Sequence, residues 1–132
     1  MVKKLPDAKH QYYSWDKFRV DVRKIIIIAR LRWENSQFEK GAHFDGIYGM
    51  PRGGLILAVC LSHHLKLPLL TAPTKRTLIV DDIADSGATL SRYKKNGNCV
   101  ITLFKHPKSK VNPDIWIRVK KKLWIDFPWE VI

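Results

Sequence analysis

A short run of β-forming residues, Leu78-Ile79-Val80, passes straight into two acids, Asp81-Asp82, and then through Ile83-Ala84-Asp85 into Ser86-Gly87-Ala88-Thr89. No other stretch limits the possible folds as much. A buried strand ending in acids and small residues, with a helical pattern after it, is a strand–loop–helix unit. In open α/β sheets such units hold ligands outside the carboxyl ends of the strands. Small residues let backbone N–H groups close on a phosphate, and a helix start adds a favourable dipole. Two adjacent carboxylates at the strand end suit ribose hydroxyls or a hard divalent cation. The stretch therefore reads as a sugar-phosphate site, with acids at one end and an anion cradle at the other.

Composition sets the frame around it. A chain of 132 residues with 45% hydrophobic content and five Trp suits one packed domain, a sheet with helices on its faces. Two cysteines, Cys60 and Cys99, are too few for a disulfide framework or a Cys-rich zinc site, which fits a reduced, cytoplasmic setting. The N-terminal residues lack the apolar core of a secretory signal, and the longest apolar runs, 25–29 and 55–61, are too short to span a membrane. The expectation is a soluble protein. The net charge of +12 would concentrate a polyanionic small molecule, and equally a nucleic acid.

Taken in order, residues 1–13 read as a polar lead-in, with Tyr12 and Tyr13 packing on the adjoining segment. Ser14 is a good N-cap, and Trp15, Phe18, Val22, Ile25, Ile26 and Ala29 recur at helical spacing, which predicts a helix from about residue 15 to about residue 33. Residues 34–43 are polar and are broken by Gly41. Residues 44–48 then read as a first strand, running into Gly49-Met50-Pro51-Arg52-Gly53-Gly54 and a second helical pattern over 55–63. The glycines permit close ligand approach, and Arg52 can grip a phosphate with two parallel hydrogen bonds. His63 and His64 are neighbours on that helix and point about 100° apart, so they do not share one metal ion. Residues 67–70 read as a short strand, 90–95 as a short helix stopped at Asn96-Gly97, and 99–104 as a strand delivering Lys105 at its carboxyl end. Residues 114–119 alternate like an edge strand, and residues 123–130 come after the basic turn Lys120-Lys121-Lys122.

Residues 78–89 resemble the phosphoribosyl pyrophosphate (PRPP) motif of the type I phosphoribosyltransferases at every position: apolar residues, two acids, two variable positions, then Asp-Ser-Gly-x-Thr. The tail adds a second resemblance. Lys105-His106-Pro107, then Pro113-Asp114, then Trp124-Ile125-Asp126-Phe127-Pro128-Trp129-Glu130 look like the bacterial and archaeal xanthine–guanine or hypoxanthine enzymes. Together these cover residues 12–70 and 77–131. The resemblance implies an α/β fold with a mainly parallel open sheet flanked by helices, a single domain over residues 1–132 with no separate hood, and a base-binding segment at the C-terminal end. It implies purine salvage: transfer of 5-phosphoribosyl from PRPP to N9 of guanine, hypoxanthine or xanthine, giving a nucleoside monophosphate and pyrophosphate, with Mg²⁺.

By the same resemblance, Asp81 and Asp82 hold the ribose hydroxyls and Mg²⁺, directly or through water. Asp85, Ser86, Gly87, Ala88 and Thr89 hold the 5′-phosphate, with Asp85 also the general base near N7. Arg52 and Gly53 bind pyrophosphate, beside a non-proline cis peptide at Pro51–Arg52. Lys105 donates to the 6-oxo group, Trp124 stacks on the base, and the backbone at Ile125 reads the ring edge. Asp126 and Glu130 are candidates for the 2-substituent or for water on the metal. The family often forms dimers or tetramers.

The chain departs from its relatives at residues 71–76, six residues where they place a long mobile loop that closes over the site. Lys75 and Arg76 are candidates to reach the pyrophosphate in its place. The short link and the basic charge leave an alternative, a regulator of the same fold that binds PRPP or nucleotide, and nucleic acid on its surface, with little or no catalysis. Against it stand Asp85, Lys105 and Trp124, which a regulator need not keep.

Overall fold

The computed structural model describes residues 9–34 and 44–130. The elements are β1 (His10–Tyr12), α1 (Trp15–Glu34), β2 (Ile47–Gly49), α2 (Gly53–Leu65), β3 (Leu78–Ala84), α3 (Ser91–Lys95), β4 (Val100–Lys105), β5 (Arg118–Val119), β6 (Trp124–Asp126) and a 3-10 turn, Pro128–Glu130. The break expected at Gly41 and the lead-in up to residue 8 lie outside the described residues.

The strands β2-β3-β4-β5 form a parallel sheet in that order, and β1 and β6 form a separate parallel pair. Strands β3 and β4 are apolar on both sides, as a sheet covered on two faces requires. On one face Leu78, Val80, Ile101 and Leu103 join Ile25 and Ala29 of α1 and Leu57, Ala58 and Leu61 of α2 in one buried cluster. On the other, Ile79 and Val100 pack with Leu90, Tyr93 and Val111 in a second. This is the mainly parallel, helix-flanked sheet that the sequence implied.

Helix α1 starts as its cap predicts, with the Lys17 N–H donating to Ser14 Oγ at 3.1 Å. Its four consecutive isoleucines do not break it, because the 3.6-residue period decides which of them are buried. Ile25 and Ile26 are inside, while Ile27 is exposed. Asp21, fully buried on this helix, accepts hydrogen bonds from the Tyr13 hydroxyl at 2.6 Å and from Arg118 Nε at 2.6 Å, tying α1 to β5.

Four local expectations are corrected. Only Tyr13 packs inside, whereas Tyr12 is exposed, since neighbours in extended chain face opposite ways. The lead-in contains β1, whose partner β6 lies more than a hundred residues away (His10↔Trp124) and leaves no local signal. Residues 67–70 make one bridge, Leu69 with Ile47, rather than a strand, because Pro68 has no N–H to extend the ladder. Of residues 114–119, only Arg118–Val119 pairs as a strand, with an isolated bridge at Ile115. At Asp114 the side chain takes over from the ladder, its carboxylate accepting the Val100 N–H at 2.7 Å.

The link 71–76 is anchored at the amino ends of the strands. The Thr74 and Thr77 hydroxyls donate to Asp45 at 2.5 and 2.8 Å, and Asn98 Nδ2 donates to the Thr74 and Thr77 carbonyls at 2.9 and 2.7 Å. Asp45, Thr77 and Asn98 stand one or two residues before β2, β3 and β4. The acids Asp81-Asp82 lie farther along β3, with Asp81 roughly 13 Å from Thr77 at about 3.3 Å per residue. Lys75 and Arg76 are therefore held on the wrong side of the sheet to meet a pyrophosphate there.

Candidate functional site

The site is built where β2 ends against the middle of β3, which runs on through both acids to Ala84 rather than stopping at Val80. Gly49 pairs with Val80, and the loop after β2 turns across β3, with the Met50 N–H donating to the Val80 carbonyl at 2.8 Å. The Pro51–Arg52 bond is cis, as the resemblance implied. Gly53 and Gly54 then start α2 hard against β3. A Cβ on Gly53 would fall within the Asp82 carboxylate, and one on Gly54 would meet the Val80 carbonyl oxygen at 2.5 Å. Glycine is needed here for close approach, and it brings the Arg52–Gly53 loop into contact with the acids.

The two acids are held by their own backbone. The Asp82 N–H donates to Asp81 Oδ1, and the Ile83 N–H to Asp82 Oδ1, each at 2.8 Å. Burial, followed by the neighbouring Asp82 charge, pushes Asp81 up to about 8. Burial also raises Asp82. A pair of carboxylates destabilised in this way is stabilised by a cation or by sugar hydroxyls.

Residues 85–89 come next as a largely exposed loop around Gly87, which is buried with φ +85°, a conformation that favours glycine. The Ala88 N–H donates to Ser86 Oγ at 3.2 Å, a weak internal bond that a phosphate oxygen could replace. Helix α3 has only five residues and begins two positions beyond Thr89, and the Ser91 N–H already donates to the Gly87 carbonyl at 2.9 Å. The favourable helix start expected at this point is therefore minor, and the N–H groups that an anion could use are those of the loop itself.

A second wall was not foreseen in the sequence. Residues 106–111 run alongside the loop, with the His106 N–H donating to the Ala84 carbonyl at 2.8 Å and the Lys110 N–H to the Ser86 carbonyl at 2.9 Å. Between the two segments lies a cavity of about 350 Å³ lined by Asp85, Ser86, His106, Lys108 and Lys110. The only local signal was position: these residues come directly after the carboxyl end of β4.

Lys105 ends β4 beside Ala84 of β3. Its ammonium lies 5.4 Å from the centre of the Trp116 ring, a cation–π contact that the sequence did not announce. Trp124 is half-buried on β6, next to the buried Ile125. Their strand is fixed by β1, by the Trp124 N–H donating to the Lys9 carbonyl at 2.8 Å, and by an aromatic group in which Phe127 stacks on Trp129 at 4.8 Å and Trp129 meets Phe18 and Trp15 of α1. Asp126 is engaged with His10 at 2.8 Å, and Glu130 accepts the Phe127 N–H at 3.2 Å, closing the 3-10 turn.

Asp81 and Asp82 suit Mg²⁺ as donors. They are hard, anionic oxygens whose charge burial disfavours without a cation. Among the described residues no cluster of three or more metal-ligating side chains occurs, so the remaining ligands would come from substrate oxygens and water, as is usual for Mg²⁺. No helix among the described residues is long and apolar enough to cross a membrane.

No family model matches the chain. It is 27% identical to the xanthine-guanine phosphoribosyltransferase of Cereibacter sphaeroides, over 99% of this chain and 93% of that protein. Its structure is similar to the purine phosphoribosyltransferase of Pyrococcus horikoshii, with a TM-score of 0.73 and 28% identity, covering 94% of this chain and 96% of that one. The xanthine-guanine-hypoxanthine phosphoribosyltransferase of Helicobacter pylori shares the fold, with a TM-score of 0.75 at 23% identity and coverage of 92% and 94%. In fold, in motif and from end to end the chain is similar to type I phosphoribosyltransferases, and the relatives named here are purine enzymes.

Proposed function

We propose that the chain transfers the 5-phosphoribosyl group of PRPP to N9 of a 6-oxopurine and releases pyrophosphate. The observation that carries this reading is the second half of β3, where Asp82 meets Gly53 of the loop after β2 on one side and the strand leads into the 85–89 loop on the other. That order matches the three parts of PRPP: pyrophosphate at Arg52 and Gly53, ribose hydroxyls at Asp81 and Asp82, and 5′-phosphate at Ser86, Gly87, Ala88 and Thr89.

In the reaction the bond from C1 of the ribose to the pyrophosphate oxygen breaks, the bond from C1 to N9 forms through the N9 lone pair, and the imidazole ring of the 7H purine gives up its proton at N7. Positive charge builds on the ribose as the pyrophosphate leaves. Arg52 stabilises the departing oxygens with a charged, directional donor. Mg²⁺ held at Asp81 and Asp82 would neutralise further charge on the pyrophosphate. Asp85, exposed at the mouth of the loop, faces N7 of the base and stabilises or accepts the proton that the purine loses. Trp124 supplies a flat apolar surface for the ring, and the main chain at Ile125 reads its edge. Lys105 is the sequence's candidate for the 6-oxo oxygen.

Asp85→Asn tests the chemical part of this reading. The variant should lose about 100-fold or more in kcat for purine transfer, with PRPP affinity by calorimetry nearly unchanged. Full activity in the variant would remove Asp85 from the reaction.

A further inference from the structure

We infer that Lys108 and Lys110, which lie outside the phosphate-binding motif, supply the positive charge of the 5′-phosphate site and hold the dianion against the 85–89 loop; the inference rests on the proposed transfer from PRPP. The loop itself is poorly charged for that task. Asp85 is its one ionisable side chain, and Asp81 and Asp82 come just before it, so every charged group from 81 to 89 is an acid. A phosphate dianion held there on backbone N–H groups alone would meet the field of three acids at short range. Helix α3 offers little relief, with five residues that begin beyond Thr89.

The segment after β4 answers that need from the other side. Its backbone is fastened to the loop, with the His106 N–H on the Ala84 carbonyl and the Lys110 N–H on the Ser86 carbonyl. It is also stiffened by its own bonds. The Lys108 N–H donates to His106 Nδ1 at 3.0 Å, the Ser109 N–H to the His106 carbonyl at 2.9 Å, and the Ser109 hydroxyl to the Val111 carbonyl at 2.9 Å. A Cβ on Gly87 would stand 2.9 and 2.7 Å from the Lys110 and Val111 amide nitrogens, so the two segments are pressed together at the centre of the loop. Burial along the segment alternates: Ser109 is half-buried and Val111 buried, while Lys108 and Lys110 are exposed. The exposed pair lines one cavity of about 350 Å³ with Asp85, Ser86 and His106. Among the described residues neither lysine is held in an ion pair.

Ser86 joins the two halves of the site. It lines the cavity, and its Oγ accepts the Ala88 N–H at 3.2 Å, the weak bond that a phosphate oxygen would replace. An anion taken up there lies at the cavity, beside the residue to which the Lys110 backbone is bonded. The N–H groups of the loop give the phosphate its place, and the two ammonium groups balance its charge.

The test compares the wild-type protein with Lys108→Met, Lys110→Met, the double variant and Lys110→Arg. It measures calorimetric binding of PRPP, of inosine 5′-monophosphate and of magnesium pyrophosphate. Both lysines are exposed, so methionine should keep the fold, which urea unfolding checks. Each methionine variant should raise the Kd of PRPP and of the nucleotide by about 3- to 10-fold, and the double variant by about 10- to 100-fold, as for one and two charge-assisted hydrogen bonds at an open site. Lys110→Arg keeps the charge and should stay within about threefold of wild type. Pyrophosphate has no 5′-phosphate and is assigned to Arg52 and Gly53, so its Kd should stay within about threefold in every variant. The inference is overturned if the double variant binds PRPP and the nucleotide as tightly as wild type. It is overturned equally if pyrophosphate loses as much as they do, which would make the lysines part of a general field. A wild-type protein that binds neither PRPP nor the nucleotide would overturn the transfer reading itself, and this would be visible before any variant is compared.

Discussion

Asp81 carries a cost that its neighbours do not relieve. Burial, then the charge of Asp82, lifts it to about 8, whereas in an unfolded chain it titrates near about 3.9. Between those values the folded state holds a proton that the unfolded state has released. Stability of the ligand-free protein therefore falls as the pH rises from about 4 to about 8. Asp81→Asn keeps the shape and removes the charge. It should stabilise the protein by on the order of 1–3 kcal/mol at about pH 8 and by little at about pH 4. Urea unfolding at the two pH values checks this, and an equal effect at both would rule out the buried charge as its source. The same substitution should weaken PRPP binding, the exchange of stability for function expected at such sites. The acids and the 85–89 loop were legible in the sequence because their chemistry is contiguous. Lys108 and Lys110 were not, because what matters about them is the loop they face, and that neighbour comes from another strand.

At the scale of elements, two contacts hold the site in place. Gly54 lets α2 approach β3 until only a hydrogen separates it from the Val80 carbonyl. In Gly54→Ala the new methyl would meet Val80 O at 2.5 Å and Asp81 Cα at 2.9 Å, backbone atoms that cannot rotate away. The variant should lose about 1–3 kcal/mol of stability, and it should lose more activity than its remaining folded fraction explains, because the same shift moves Arg52 and Gly53 from Asp82. The second contact is Asp21 with Arg118 and Tyr13, which joins α1 to the edge of the sheet. Arg118→Met would leave a fully buried carboxylate without its cation and should cost about 3–5 kcal/mol by chemical unfolding. Asp21→Asn combined with Arg118→Met should cost less than Arg118→Met alone. Helix α1 was legible because a 20-residue helix repeats its signal many times. Strand β1 was not, since three residues pairing across the length of the chain have no period to detect. The link 71–76 was legible in length but not in direction, which the hydrogen bonds of Thr74, Thr77 and Asn98 decide.

For the molecule as a whole, the +12 charge acts on encounter rather than on shape. Lys108 and Lys110 stand at the cavity itself, so the field should favour an anionic substrate. The PRPP KM should rise severalfold between about 0.05 and about 0.5 M salt, as the Debye length shrinks well below about 10 Å, while kcat changes little. A PRPP KM indifferent to salt would detach the charge from substrate capture and leave it to another partner. The measurement to make first is nucleotide formation from PRPP and Mg²⁺ with guanine, hypoxanthine and xanthine supplied one at a time. The purine assignment predicts turnover of at least one base, with the short link 71–76 at the far end of the sheet taking no part. Tight binding of PRPP or nucleotide without turnover of any base would contradict it, and would make the chain a binding protein built on a transferase fold.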